Sequence, residues 1–210
     1  MARGMFITLE GGEGSGKSTQ IALLHDRLTS SGYAVVRTRE PGGTAQAEAI
    51  RELMVRGEPG AWSPLAEALL MNAARDSHLR HLIRPALANG SIVLSDRFMD
   101  STRAYQGGAG GIAREIIAVL ERRVVGDTVP DLTLILDLDA GAGLARSGGR
   151  GGGAARFEGK GLAYHQAVRE RFLDIAKSEP QRCVVIDAAV DQAEVAGYVW
   201  KAVERVLPKR

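Results

Sequence analysis

The chain has 210 residues, 45% of them hydrophobic and 25% charged, the balance of one globular domain. Twenty-seven Lys and Arg face 25 Asp and Glu, a net charge of +2, so no global basic field argues for nucleic acid and any anion site must be a local cluster. The single Cys183 allows no internal disulfide, no apolar run is long enough for a bilayer, and the N-terminus lacks a leader pattern, so the cytoplasm is the expected compartment, without membrane partners.

Short apolar runs alternate with helical patterns along the chain. Residues 5–10 (MFITLE) read as a first strand leading into a Gly-rich loop. Ile21, Leu24 and Leu28 follow at helical spacing, ending near Gly32. Residues 33–40 form a second strand, PGGT turns the chain, and Ile50, Leu53 and Met54 mark a helix. Ser63 as N-cap with Pro64 at the first position opens a long helix, which Pro85 should kink or break. Strands are expected at 91–96, 132–139 and 183–188, with helices at 112–124, 160–178 and 191–206. The alternation predicts an α/β fold, a five-stranded parallel sheet flanked by helices. The one low-complexity stretch, SGGRGGGAAR (147–156), is either a linker or a lid.

GGEGSGKST (Gly11, Gly12, Glu13, Gly14, Ser15, Gly16, Lys17, Ser18, Thr19) fits G-x-x-x-x-G-K-[ST] between a strand and a helix, the context of a phosphate-binding P-loop. Glycines let successive N–H groups curl toward phosphate oxygens, and the helix N-terminus adds partial positive charge. Lys17 would reach the β- and γ-phosphates of ATP and Ser18 would ligate Mg²⁺. The loop leaves open where the phosphoryl group goes. TREPGGT (38–44), AARDSHLR (73–80) and SDRFMDSTRAYQGG (95–108) supply further polar groups, and Glu40, Asp96 and Arg97 at strand C-termini should converge on the loop.

Together, EGGEGSGKST, REPGGT, DRF..S..AYQGG and an Arg-bearing segment before RFE resemble the bacterial thymidylate kinase family over the whole chain. The resemblance implies a P-loop nucleoside-monophosphate-kinase-like fold over 1–210, a mobile Arg/Gly-rich lid at 140–159, and the reaction of MgATP with dTMP to give ADP and dTDP, usually in a homodimer. It implies that Arg97 grips the acceptor phosphate and Arg75 the thymine edge. Ser101, Thr102 and Gln106 would surround the base, and Tyr105 would wall off the deoxyribose. Glu13 would lie near the sugar 3′-hydroxyl, Glu40 would form part of the acceptor pocket, and Asp96 would help hold the Mg²⁺ shell. Where one branch of the family has a basic residue in the loop, Gly14 stands here; the lid arginines Arg146, Arg150 and Arg156 would supply the charge, with Arg150 as the catalytic arginine and Arg146 as a shelf for adenine. Two positions depart from the family: Ala155 replaces an acid before RFE, and Met71 replaces a phenylalanine that stacks on thymine. The alternatives are a kinase for another pyrimidine monophosphate and a regulatory ATPase; no N-K-x-D motif of a switch GTPase is found.

Overall fold

The computed structural model describes residues 3–55, 60–148 and 159–207. Five strands form one parallel sheet: β1 (Phe6–Glu10), β2 (Val35–Arg39), β3 (Ile92–Asp96), β4 (Leu132–Asp137) and β5 (Cys183–Asp187), in the spatial order β2-β3-β1-β4-β5. The three central strands are buried along almost their whole length, which their unbroken apolar runs require of a sheet covered on both faces. Ile7 and Leu9 point to one face. There they meet Ile21, Leu24 and Leu28 of α1 (Lys17–Ser30) and Val195, Val199 and Val203 of the C-terminal helix (Gln192–Glu204). Phe6, one residue before Ile7, points to the other face and packs edge-on against Phe98 with ring centroids 4.8 Å apart.

Helix α2 (Ala45–Val55) precedes α3 (Pro64–His78), which starts as the sequence predicts: the Ser63 hydroxyl accepts the Ala66 N–H and Pro64 occupies the first turn. Pro85 does not break this helix. The chain passes through a π-helical stretch, Leu79–Ile83, in which the Arg84 N–H bonds back to the Leu79 carbonyl, and continues as α4 (Arg84–Ala88). Pro85 thus sits in the first turn of a new helical segment, where its missing N–H costs least.

A second π-helical stretch, Arg103–Ala109, follows the short α5 (Met99–Thr102). The pair Gly107–Gly108 suggests a turn, but burial of Ala104, Tyr105 and Gln106 keeps the segment helical. Helix α6 (Arg114–Val124) starts two residues later than predicted. The first part of the expected lid is regular helix, α7 (Ala140–Gly148); residues 149–158, with Arg150, Ala155 and Arg156, lie outside the described residues. Helix α8 (Leu162–Ser178) packs Val168, Phe172 and Ile175 under the second π stretch, and α9 is the C-terminal helix.

The strand order reverses at β1, whose neighbours are β3 and β4. Chain connections leave a crevice at such a switch point, beyond the strand C-termini. The loops after β1 and β3 border it here.

Candidate active site

One cavity of about 480 Å³ occupies that crevice, the size of a nucleotide-scale site. Its walls include Glu13, Gly14 and Gly16 of the loop after β1 and Lys17, Ser18 and Thr19 at the start of α1, with Asp96 at the end of β3 and Arg97 and Ser101 after it. Glu40, Met71, Arg75, Thr102, Tyr105 and Gln106 complete the predicted acceptor residues, all of which line it. Met71 shares the cavity face of α3 with Arg75, four residues on, as helical spacing predicts.

The loop turns on glycines. A Cβ at Gly14, where φ is 67°, would run into the Gly143 carbonyl of α7. This packing is the physical reason that a glycine, and no basic residue, occupies position 14. Gly11, Gly12 and Ser15 do not line the cavity and instead hold Lys17: its ammonium donates to the Gly12 carbonyl at 2.7 Å, the Gly11 carbonyl at 3.2 Å and the Ser15 hydroxyl at 3.2 Å. Burial and the neighbouring Arg97 push this ammonium down to about 8, against the opposing pull of Glu13 and Asp96. The Ser18 hydroxyl donates to Asp96 Oδ2 at 2.8 Å, so the two predicted metal-binding residues are already side by side.

Arg97 adopts φ 70°, a left-handed conformation that costs a bulky residue about 1–3 kcal/mol. Its guanidinium donates to Glu13 Oε1 at 2.9 Å, to the Gly11 carbonyl at 3.0 Å and to the Ser101 hydroxyl at 3.2 Å. The Tyr105 hydroxyl donates to the same Glu13 oxygen at 2.9 Å. Burial alone would raise the Glu13 carboxyl, but Arg97, Lys17 and the Tyr105 hydrogen bond more than offset it and hold it at about 2. Burial raises Tyr105 well above its ordinary value, so it remains a donor.

Arg75 is almost fully buried. It donates to Glu40 Oε2 at 2.8 Å, the Phe98 carbonyl at 3.0 Å and Thr102 Oγ1 at 3.1 Å. Glu40 therefore both lines the cavity and fixes Arg75. The Gln106 amide donates to Glu67 at 2.9 Å. Arg146 does not line this cavity, although its neighbour Ser147 does, and it donates to the Ala188 carbonyl after β5 at 3.2 Å.

Sequence reasoning missed several participants. His78 is fully buried between Glu40 Oε1 at 3.1 Å and Thr38 Oγ1 at 2.7 Å. It explains the second glycine of REPGGT, since a Cβ at Gly43 would come within 2.6 Å of His78 Nε2. Arg51 lines the cavity and donates to the Pro41 carbonyl at 2.9 Å. Arg39 also lines it, paired with Glu48. Arg51 carries a recoverable signal: it lies on α2, at the spacing of a helix whose Ala47 and Met54 are buried. Glu10, at the end of β1, is fully buried, and burial and the neighbouring Asp100 push its carboxyl up to about 8.

Comparison with known proteins agrees with the geometry. The sequence model of the family described as thymidylate kinase matches residues 9–197. A thymidylate kinase of Caulobacter vibrioides is 60% identical over 207 residues, 99% of either chain. One from Bradyrhizobium sp. is 50% identical over 98% of this chain and 92% of its own. The crystal structure of thymidylate kinase from Ehrlichia chaffeensis superposes with a TM-score of 0.79 at 38% identity, over 96% of this chain and 99% of that one. The phosphate loop, the Asp96–Arg97 turn and these full-length matches agree: the chain belongs to the thymidylate kinase family.

Proposed function

We propose that this chain transfers the γ-phosphoryl group of ATP to the 5′-phosphate of dTMP, giving ADP and dTDP. One observation carries the reading: Lys17 and Ser18 line a single cavity with Arg97, Glu13 and Tyr105, so a donor loop and an acceptor cluster share one space. The acceptor oxygen needs no general base, because the second pKa of a phosphate monoester is near 6. The barrier is the approach of two anions, and cations lower it. Lys17 would hold the transferring group and Arg97 the acceptor phosphate, with Arg51 as a further cation on the same wall. Glu13 and Tyr105 would meet the sugar, and Arg75, Met71, Thr102 and Gln106 the base. Arg150 remains the proposed catalytic arginine, Arg146 the proposed adenine shelf, and 140–159 the proposed lid.

Ser18 and Asp96 fit a magnesium ion: a hydroxyl and a carboxylate, both hard oxygen donors, meet on the cavity wall, and Mg²⁺ takes few protein ligands beside the substrate's phosphates. When bound, the ion supplies charge neutralisation between the two phosphates.

The proposed assembly is a homodimer. Leu53 of α2, Leu65 and Leu69 of α3, and Ile116 and Val119 of α6 are exposed apolar side chains on contacting helices, the composition of a face that a second copy would cover. Sedimentation should give twice the chain mass. Among the described residues no helix is long and apolar enough to cross a membrane. The proposed compartment is the cytoplasm, in keeping with the buried free thiol of Cys183.

A coupled assay with ATP across dTMP, dUMP, UMP, CMP and GMP tests the reaction. The highest kcat/KM is expected for dTMP. A preference for UMP or CMP would favour the other pyrimidine kinases, and ATP hydrolysis without transfer to any acceptor would favour a regulatory ATPase.

A further inference from the structure

We infer that Glu10 is a positioning residue for Arg97, holding the acceptor arginine in its left-handed conformation. The inference rests on the acceptor role proposed for Arg97 and extends it to a residue that touches no part of the cavity. Glu10 is the last residue of β1 and is 0% exposed. Its Oε1 accepts the Phe98 N–H at 2.8 Å and the Ser101 N–H at 3.3 Å, and its Oε2 accepts the Ser101 hydroxyl at 2.6 Å. Ser101 Oγ in turn accepts from Arg97 Nη1 at 3.2 Å. The carboxyl group therefore fixes the amide that follows Arg97 and, through one hydroxyl, supports the guanidinium itself.

The neighbouring residues of the strand complete the hold. The Leu9 carbonyl accepts the Arg97 N–H at 2.9 Å, and the Gly11 carbonyl accepts from Arg97 Nη1 at 3.0 Å. Three consecutive residues, Leu9, Glu10 and Gly11, thus grip the backbone before Arg97, the backbone after it, and its side chain. A residue at φ 70° relaxes unless both flanking peptides are held. Leu9 and Gly11 contribute only main-chain carbonyls, which almost any sequence would supply. The holds that depend on side-chain identity are the Glu10 carboxyl and, on the strand before Arg97, the Ser95 hydroxyl, which donates to the Arg97 carbonyl at 2.8 Å. Because Gly11 also opens the phosphate loop, one strand end sets the acceptor arginine and the donor loop in a common frame.

The rival account makes Glu10 a buried acid that supports the fold and affects activity only through overall stability. A double-mutant cycle separates the two. Glu10→Ala, Glu10→Asp and Glu10→Gln are measured for dTMP kinetics in the wild-type and in the Arg97→Ala background. Glu10→Asp is one methylene too short to span the same contacts, and serves if Glu10→Ala does not fold. Glu10→Gln keeps an acceptor oxygen for the Phe98 N–H. With Arg97 present, Glu10→Ala and Glu10→Asp should lower kcat/KM for dTMP at least about ten-fold, and Glu10→Gln should stay within about three-fold of wild type. In Arg97→Ala the same substitutions should change it by less than about two-fold, since the residue they position is gone. Equal losses in both backgrounds overturn the inference. A wild-type chain that transfers nothing to dTMP overturns instead the reaction on which it rests.

Discussion

The polar groups proposed to take the acceptor hold one another: Arg97 and Tyr105 share one Glu13 oxygen at 2.9 Å each, and Arg75 is tied to Glu40, Phe98 and Thr102. Beside them, the Lys17 ammonium is turned onto the carbonyls of its own loop, 2.7 Å from Gly12, and shares the Gly11 carbonyl with Arg97. Bringing a triphosphate to this loop requires Lys17 to exchange those carbonyls for phosphate oxygens. The difference teaches where the chain spends its preorganisation. The groups proposed for the acceptor are held by bonds to one another, whereas the cation proposed for the donor is held by bonds that a phosphate must replace. Buried ionic networks of the first kind are costly to break one partner at a time, and a stored cation of the second kind costs little in stability to remove.

Lys17→Ala should therefore separate the two sides most sharply. Loss of the one ammonium that would hold the transferring group should lower kcat on the order of 100-fold or more, while dTMP binding measured by calorimetry stays close to wild type. Glu40→Ala should do the opposite. It leaves Arg75 buried without its carboxylate, which costs about 3–5 kcal/mol and lowers Tm by about 10 °C, as differential scanning calorimetry would read.

Glu13 provides a pH handle on the same contrast. Its carboxyl titrates at about 2 in the folded chain against an ordinary 4.5. A depressed carboxyl stabilises the fold above 4.5, and that stability is lost as pH falls from 4.5 toward 2. The contribution is at most about 3 kcal/mol at neutral pH. The stability gap between wild type and Glu13→Gln should close over that window; a gap unchanged from pH 7 to pH 3 would remove Glu13 from the network. The smallest effect is expected at Met71, which lines the cavity with Arg75 and is proposed to meet the base. Stacking on an aromatic ring is worth about 1–3 kcal/mol and a thioether recovers part of it. Met71→Phe should lower KM for dTMP several-fold with little change in kcat, and Met71→Ala should raise it.

Much of this arrangement is legible in the sequence because it is local. The phosphate loop, the Asp96–Arg97 turn and the Ser63 cap each depend on residues a few positions apart, so spacing alone reports them. The acceptor pocket's supports are different. His78 reaches Glu40 across 38 positions, Gln106 reaches Glu67 across 39, and Phe98 reaches Glu10 across 88. A lone His, Glu or Arg on an amphipathic helix gives no sign of which partner folding will bring to it. The two π-helical stretches were hidden for a related reason. Pro85 and Gly107–Gly108 are local breakers, and tertiary packing of Leu79, Ile83, Ala104 and Tyr105 overrides them.

The account turns on an acceptor site that exists before the donor arrives. Calorimetric titration of dTMP into the chain without ATP or Mg²⁺ tests this directly. Saturable binding at one dTMP per chain is predicted, with an affinity within a few-fold of that measured when a non-hydrolysable ATP analogue is present. Absence of dTMP binding until the analogue is added would contradict it, because the acceptor pocket would then be assembled by the donor and not by the chain.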